Sequence, residues 1–290
     1  MTTYNNISID GLNIFYREAG AKDKPTIVLL HGYPASSHMY RDLMNELSDQ
    51  FHLVAPDYPG FGNSETPAID KFEYSFDRLA EITEHFLQAL GLNRFSLYVQ
   101  DYGAPVGFRI ASQHPDWIQA LIVQNGNAYE EGLTPAWQAF RDLWSDRSEA
   151  TEAPVRGFLT RDTTIFFYTA GTKSAQNINP DNWNLVQSFL DRPENAAAQM
   201  ELFYNYRANL DRYPQWHEYF RSHQPPTLIV WGKNDPFFGP EGANAFKRDL
   251  KNAEVHLLDT GHFALDEEGE AIASHIRRFL PANIPFQVNN

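Results

Sequence analysis

The chain contains no cysteine. Disulfides, thiol nucleophiles and zinc–thiolate centres are thereby excluded, whatever the fold. Long apolar runs are missing as well: none approaches the ~20 residues that a membrane-spanning helix needs. The first residues, MTTYNNISIDG, have neither a basic start nor an apolar stretch, so they do not read as a secretory signal. The expectation is a soluble protein of a reducing, cytoplasmic compartment.

Positive charge is scarce. Lys and Arg number 23 against 37 Asp and Glu, a formal net charge of -14. Phosphate backbones and anionic bilayers attract basic faces, so nucleic-acid and membrane partners are disfavoured. Internal repeats and low-complexity tracts are absent. Gly60-Phe61-Gly62 and the Gly103 to Gly107 stretch lack a following Lys-Ser/Thr and lack dinucleotide spacing, so neither reads as a phosphate loop. The ten histidines are not clustered at ligand spacing. No metal or other cofactor is expected.

Apolar material is plentiful, at 42% hydrophobic and 14% aromatic over 290 residues. That suits one large domain or a domain with a sizeable insertion. Residues 7–18 alternate around Asp10-Gly11, a hairpin signal. Short apolar runs then recur, each ending in a turn: Thr26–Leu30 before HGYP, Phe51–Ala55 before PDYPGFG, Phe95–Val99 before QDYG, Leu121–Val123, Thr227–Trp231 before GKNDP, and Val255–Leu258 before DTGH. Between them lie helical patterns. Phe76, Leu79, Ile82, Phe86 and Leu90 recur every three or four positions behind an N-cap serine, Ser75. Ile272, Ile276, Phe279 and Leu280 repeat this before a proline. Strands alternating with helices predict an α/β fold with a mostly parallel sheet flanked by helices.

The alternation fails from about 128 to 224, an aromatic-rich stretch with helical spacing plausible over Leu190–Leu210. A structureless loop of that length is implausible in a compact domain. The reading is a core in two parts, 1–127 and 225–290, with a mainly helical cap, 128–224, inserted between them.

Ligand sites in parallel α/β sheets form beyond the carboxyl ends of the strands. His31-Gly32-Tyr33-Pro34, Asp101, Asp235 and His262 all stand there. Asp101, Asp235 and His262 fall in the chain order nucleophile, acid, base. HGYP, DYPGFGNS, VQDYG, WGKNDPF and TGH, with an insertion of cap size, resemble the α/β-hydrolase fold over nearly the whole chain. VQDYG occupies the nucleophile-elbow position, usually G-x-S-x-G. Aspartate there resembles the epoxide hydrolase and haloalkane dehalogenase branch.

The resemblance implies a mechanism. The Asp101 carboxylate attacks a saturated carbon and forms an alkyl ester. His262 takes a proton from the water that splits the ester, and Asp235 orients the imidazole. The backbone N–H groups of Tyr33 and Tyr102 form the oxyanion hole. His31 organises that turn. Asp259 is the rival acid, being nearer His262 in sequence. Each residue also has a plainer role open to it: Asp101 as a helix cap, Asp235 as a turn residue, His262 as a loop histidine.

Tyr206-Arg207 resembles the cap element in which epoxide hydrolases carry a proton-donating tyrosine, with Tyr168 or Tyr129 as the second. Dehalogenases of the resemblance carry Trp after the nucleophile, where this chain has Tyr102. The leading expectation is hydrolysis of an epoxide to a diol, on a small or medium uncharged substrate with water as co-substrate. A haloalkane dehalogenase is the alternative, and a non-catalytic binding or interaction member of the fold a second one. A homodimer is compatible with all three.

Overall fold

A computed structural model describes residues 1–285 of the chain. Its centre is one eight-stranded sheet in the order β1-β2-β4-β3-β5-β6-β7-β8. β1 (Thr3–Ile9) and β2 (Leu12–Ala19) form a hairpin whose tip residues, Asp10 and Gly11, have φ of 50° and 84°. Asp-Gly is the pair that supplies two positive φ angles in a two-residue turn. β2 runs antiparallel to β4 (His52–Pro56). From there β3 (Thr26–Leu30), β5 (Phe95–Gln100), β6 (Ile118–Gln124), β7 (Thr227–Gly232) and β8 (Glu254–Leu258) continue in parallel. β3, β4, β5 and β7 are buried at every position. Helices cover both faces, which is why these strands read as nearly continuous apolar runs.

The strand order turns at β3, which lies between β4 and β5. The loops after β3 and β5 therefore open a crevice at their carboxyl ends. α1 (Arg41–Leu47), α2 (Phe76–Ala89) and α3 (Gly103–Gln113) come from this half of the sheet. α2 starts at Ser75, whose hydroxyl accepts the Arg78 N–H at 3.1 Å, and buries Phe76, Leu79, Ile82 and Phe86.

Between β6 and β7 the chain is helical: α4 (Gln138–Ser145), α5 (Glu149–Arg156), α6 (Arg161–Thr169), α7 (Pro180–Leu190), α8 (Asn195–Asn205) and α9 (Arg207–His223). The spacing over 190–210 belongs to three helices rather than one. Glu194, at φ 68°, breaks the chain ahead of α8, and Tyr206 joins α8 to α9. α9 is not wholly part of a lid. Its Trp216 and Phe220 pack on Phe108 of α3, so its second half belongs to the core layer. Gln224, at φ 46°, ends it before β7. α10 (Pro240–Ala245) and α11 (Leu265–Asn283) complete the core; α11 continues one turn past its last periodic residue, through Pro281.

Candidate active site

Asp101 sits at the bend from β5 into α3 with φ 48°. A non-glycine residue there costs about 1–3 kcal/mol, and such strain persists only where the surroundings enforce it. Here they do. A Cβ on Gly103 would lie 2.0 Å from the Leu30 carbonyl oxygen, so α3 crosses β3 at a distance only glycine permits. The turn must therefore be completed within two residues, and Asp101 is pushed out at its tip.

The Asp101 side chain is turned towards the loop after β3. Its Oδ1 accepts the Tyr33 N–H at 2.6 Å, and the Tyr102 N–H also bonds the carboxylate. Burial raises its pKa to about 6, against the opposing pull of His262 and the two N–H donors. His31 supports this turn: Nε2 accepts the Tyr58 N–H at 3.4 Å, leaving Nδ1 to donate to the Gly32 carbonyl at 3.0 Å. Burial lowers its pKa, which keeps it neutral.

His262 lies opposite, its Nε2 3.9 Å from Asp101 Oδ2. Its Nδ1 is 2.7 Å from Asp235 Oδ2. Burial pushes the His262 pKa down, but the carboxylates of Asp235 and Asp101 outweigh that and leave it raised. Asp235 is in turn held by the Phe237 N–H at 2.8 Å and by Asn125 Nδ2 at 2.8 Å. Asp259 is apart from this group: it faces solvent and pairs with Lys233 and Asn234.

Two participants escaped the sequence reading. Asn125, at φ 41°, follows β6 and clamps the backbone N–H and carbonyl of Gly232 as well as Asp235. Its signal was a polar residue next to a glycine at a strand end. Gln100, the last residue of β5, is fully buried with its Nε2 2.9 Å from His262 Nε2. Its signal was an amide at the end of an otherwise apolar strand.

Above Asp101 is a small cavity of about 350 Å³ of non-atom space, walled by Tyr33 and Tyr102 from the core loops and by Trp137, Phe140, Phe158, Phe167, Phe203, Tyr206 and Phe237. The lining is almost wholly aromatic, and no charged side chain other than Asp101 is part of it. The indole of Trp137 is committed, donating to the Phe237 carbonyl at 3.0 Å; that of neighbouring Trp144 donates to Phe203 at 2.8 Å. Tyr33 donates its hydroxyl to the Phe158 carbonyl at 2.8 Å. Tyr102 and Tyr206 have their rings 5.9 Å apart, and burial raises both phenol pKa values well above the usual range. They stay protonated donors.

Tyr168 is not among the residues that wall this cavity: its ring stacks on Phe263 at 4.1 Å, the neighbour of His262. Tyr129 is also elsewhere, donating to Asp249 Oδ2 at 2.8 Å. Among the described residues one group has the spacing for a cation, Glu254, His256 and His275, on the outer strand β8 and α11; Glu254 is already paired with Arg278.

A parallel sheet with a strained acidic residue at the elbow after β5, a histidine after β8 and a helical insertion after β6 is the arrangement of α/β-hydrolases. The sequence model of the alpha/beta hydrolase fold matches residues 25–269. The chain belongs to this family and is a hydrolase of it. Among its relatives is an uncharacterised hydrolase of Saccharomyces cerevisiae, YNR064C, 39% identical over 94% of this chain and 95% of the yeast one. A haloalkane dehalogenase of Mycolicibacterium paratuberculosis is 38% identical over 91% of this chain and 86% of its own. A solved structure, the epoxide hydrolase CorEH without ligand, superposes with a TM-score of 0.79 at 19% identity, covering 97% and 99% of the two chains. This last likeness is one of fold.

Proposed function

We propose that this hydrolase opens small uncharged epoxides through a covalent ester on Asp101. The observation that carries the reading is the cavity wall: a buried carboxylate shares it with two phenols, Tyr102 and Tyr206, the second held by a hydrogen bond to the Tyr213 hydroxyl that an epoxide oxygen would replace, while the nearby indole N–H groups are spent on backbone carbonyls. Epoxide opening leaves an alkoxide, which a protonated phenol can neutralise. A departing halide is held by N–H donors, and the cavity offers no free indole for it.

The Asp101 carboxylate attacks the less hindered epoxide carbon from behind its C–O bond. The ring oxygen takes the proton of Tyr206 or Tyr102. Esterification removes the charge of Asp101, one of the two that raise His262. The imidazole then loses its proton more readily, at the moment a base is needed. Water attacks the aspartyl carbonyl carbon, its proton passes to His262 Nε2, and the oxyanion forms at the carboxylate that the Tyr33 and Tyr102 N–H groups already hold, Tyr33 at Oδ1. Collapse expels the diol oxygen, which takes the proton from the imidazolium, and the proton left on the Asp101 carboxyl returns to the tyrosine phenolate, restoring the resting enzyme.

The test is His262→Gln exposed to styrene oxide. Intact-mass measurement is expected to find one substrate mass added, on the peptide containing Asp101. A mutant that binds no substrate mass, from this or any substrate the native enzyme turns over, would refute the two-step scheme. The dehalogenase relative gives halide expulsion the second place. Tyr206→Phe divides the two: epoxide opening should fall by roughly 10²-fold or more, halide release from 1-bromobutane by less than about twofold.

A further inference from the structure

Gln100 stands against the nitrogen of His262 that the reaction uses. Asp235 accepts from Nδ1, so in the neutral ring Nε2 carries the lone pair, and the group facing it at 2.9 Å must be the amide N–H of Gln100. The amide oxygen, Oε1, is buried and has no hydrogen-bond partner. A buried acceptor left open requires an explanation, because its desolvation goes uncompensated by about 1–3 kcal/mol. That oxygen is turned towards Asp101: a Cβ built on Gly32 would come within 2.6 Å of Gln100 Oε1 and within 2.4 Å of Asp101 Oδ1. The two oxygens thus converge on the space that the absent side chain of Gly32 leaves.

We propose that Gln100 positions the hydrolytic water of the second step. In the resting enzyme its N–H caps the lone pair of the base. When water arrives, its O–H replaces the amide N–H at His262 Nε2, and the amide turns Oε1 to accept the second O–H. Both water hydrogens are then held, and the oxygen lone pair faces the carbonyl carbon of the Asp101 ester. The C–O bond to water forms, one proton moves to Nε2, and the ester C–O bond breaks as the alcohol takes that proton. Gln100 is a positioning residue: it does not touch the substrate carbon.

This rests on the covalent scheme above, and the experiment separates the two. Gln100→Leu keeps volume and removes both amide functions; Gln100→Glu keeps an acceptor. With styrene oxide and 1-bromobutane as probes, rapid-quench intact-mass measurement follows formation and loss of the adduct. Gln100→Leu is expected to form adduct within about threefold of the native rate and to hydrolyse it ~10–100-fold more slowly. Gln100→Glu should recover part of that loss, with its pH profile moved upward by the added carboxylate.

A second readout needs no substrate. The amide N–H stabilises the neutral imidazole, so its removal in Gln100→Leu should raise the His262 pKa, seen by ¹⁵N NMR titration, by about half a unit to one unit. The charged groups acting on that ring, Asp235 and Asp101, are unchanged in the variant. Native adduct lifetime together with a native His262 titration in Gln100→Leu would overturn the assignment, even while His262→Gln still traps ester. If His262→Gln traps none, the covalent scheme falls and the titration alone decides the contact to the base.

Discussion

At residue 101 the backbone, the charge and the chemistry depend on one another. The positive φ presents the carboxylate at the tip of the turn, two N–H groups anchor it, that of Tyr33 at Oδ1, and Oδ2 lies towards His262. An amide at this position would keep the shape and lose the nucleophile. Asp101→Asn is expected to lower turnover by at least about 10⁴-fold, with slow recovery on storage as deamidation restores aspartate. Mass change and activity should return together. Asn125 illustrates a different dependence. It supplies three hydrogen bonds around Gly232 and Asp235 from a fully buried position. Asn125→Ala should therefore cost about 2–3 kcal/mol in urea unfolding and slow ester hydrolysis more than ester formation.

At the scale of elements, the decisive contact is α3 against β3. The absence of a side chain at Gly103 lets the helix start directly over the Leu30 carbonyl. Gly103→Ala forces the helix outward and relaxes the bend that holds Asp101. A loss of at least about 3 kcal/mol is expected from chemical denaturation, and any folded fraction should show weakened adduct formation. The strands were legible for a related reason. Burial on both faces leaves a run such as TIVLL or FSLYV almost wholly apolar, and the turn after it carries the chemistry. The cap helices were less legible. Their aromatic residues serve both helix packing and cavity lining, so periodicity alone could not place the breaks at Glu194 and Tyr206, nor assign the second half of α9 to the core.

At the scale of the whole molecule, core and insertion together exclude water from one carboxylate. Tyr33, Tyr102 and Phe237 of the core and Phe203 and Tyr206 of the insertion wall it from both sides. The consequence is the Asp101 pKa of about 6. Ester formation requires the carboxylate, so the rate should be full well above pH 6 and fall as pH drops through it. An exposed aspartate would put that limb near pH 4. Hydrolysis requires neutral His262, whose pKa is raised before esterification. The pH dependence of kcat/KM reports the first limb, and that of adduct decay the second. A kcat/KM limb near pH 4 would show that the closed cavity is not the reacting state.

The sequence by itself determined the alternation of strands and helices and the order Asp101, Asp235, His262, because apolar periodicity and strand-end turns are local properties of a chain. It also set aside thiol chemistry, since there is no cysteine to perform it. Only the tertiary structure decided which side chains converge. Tyr102 and Tyr206 reach the cavity while Tyr168 stacks on Phe263, and Gln100 meets His262 across 162 positions of sequence. Convergence of that kind depends on strand order, helix crossing distance and the bend at residue 101, none of which is written in any short stretch of residues.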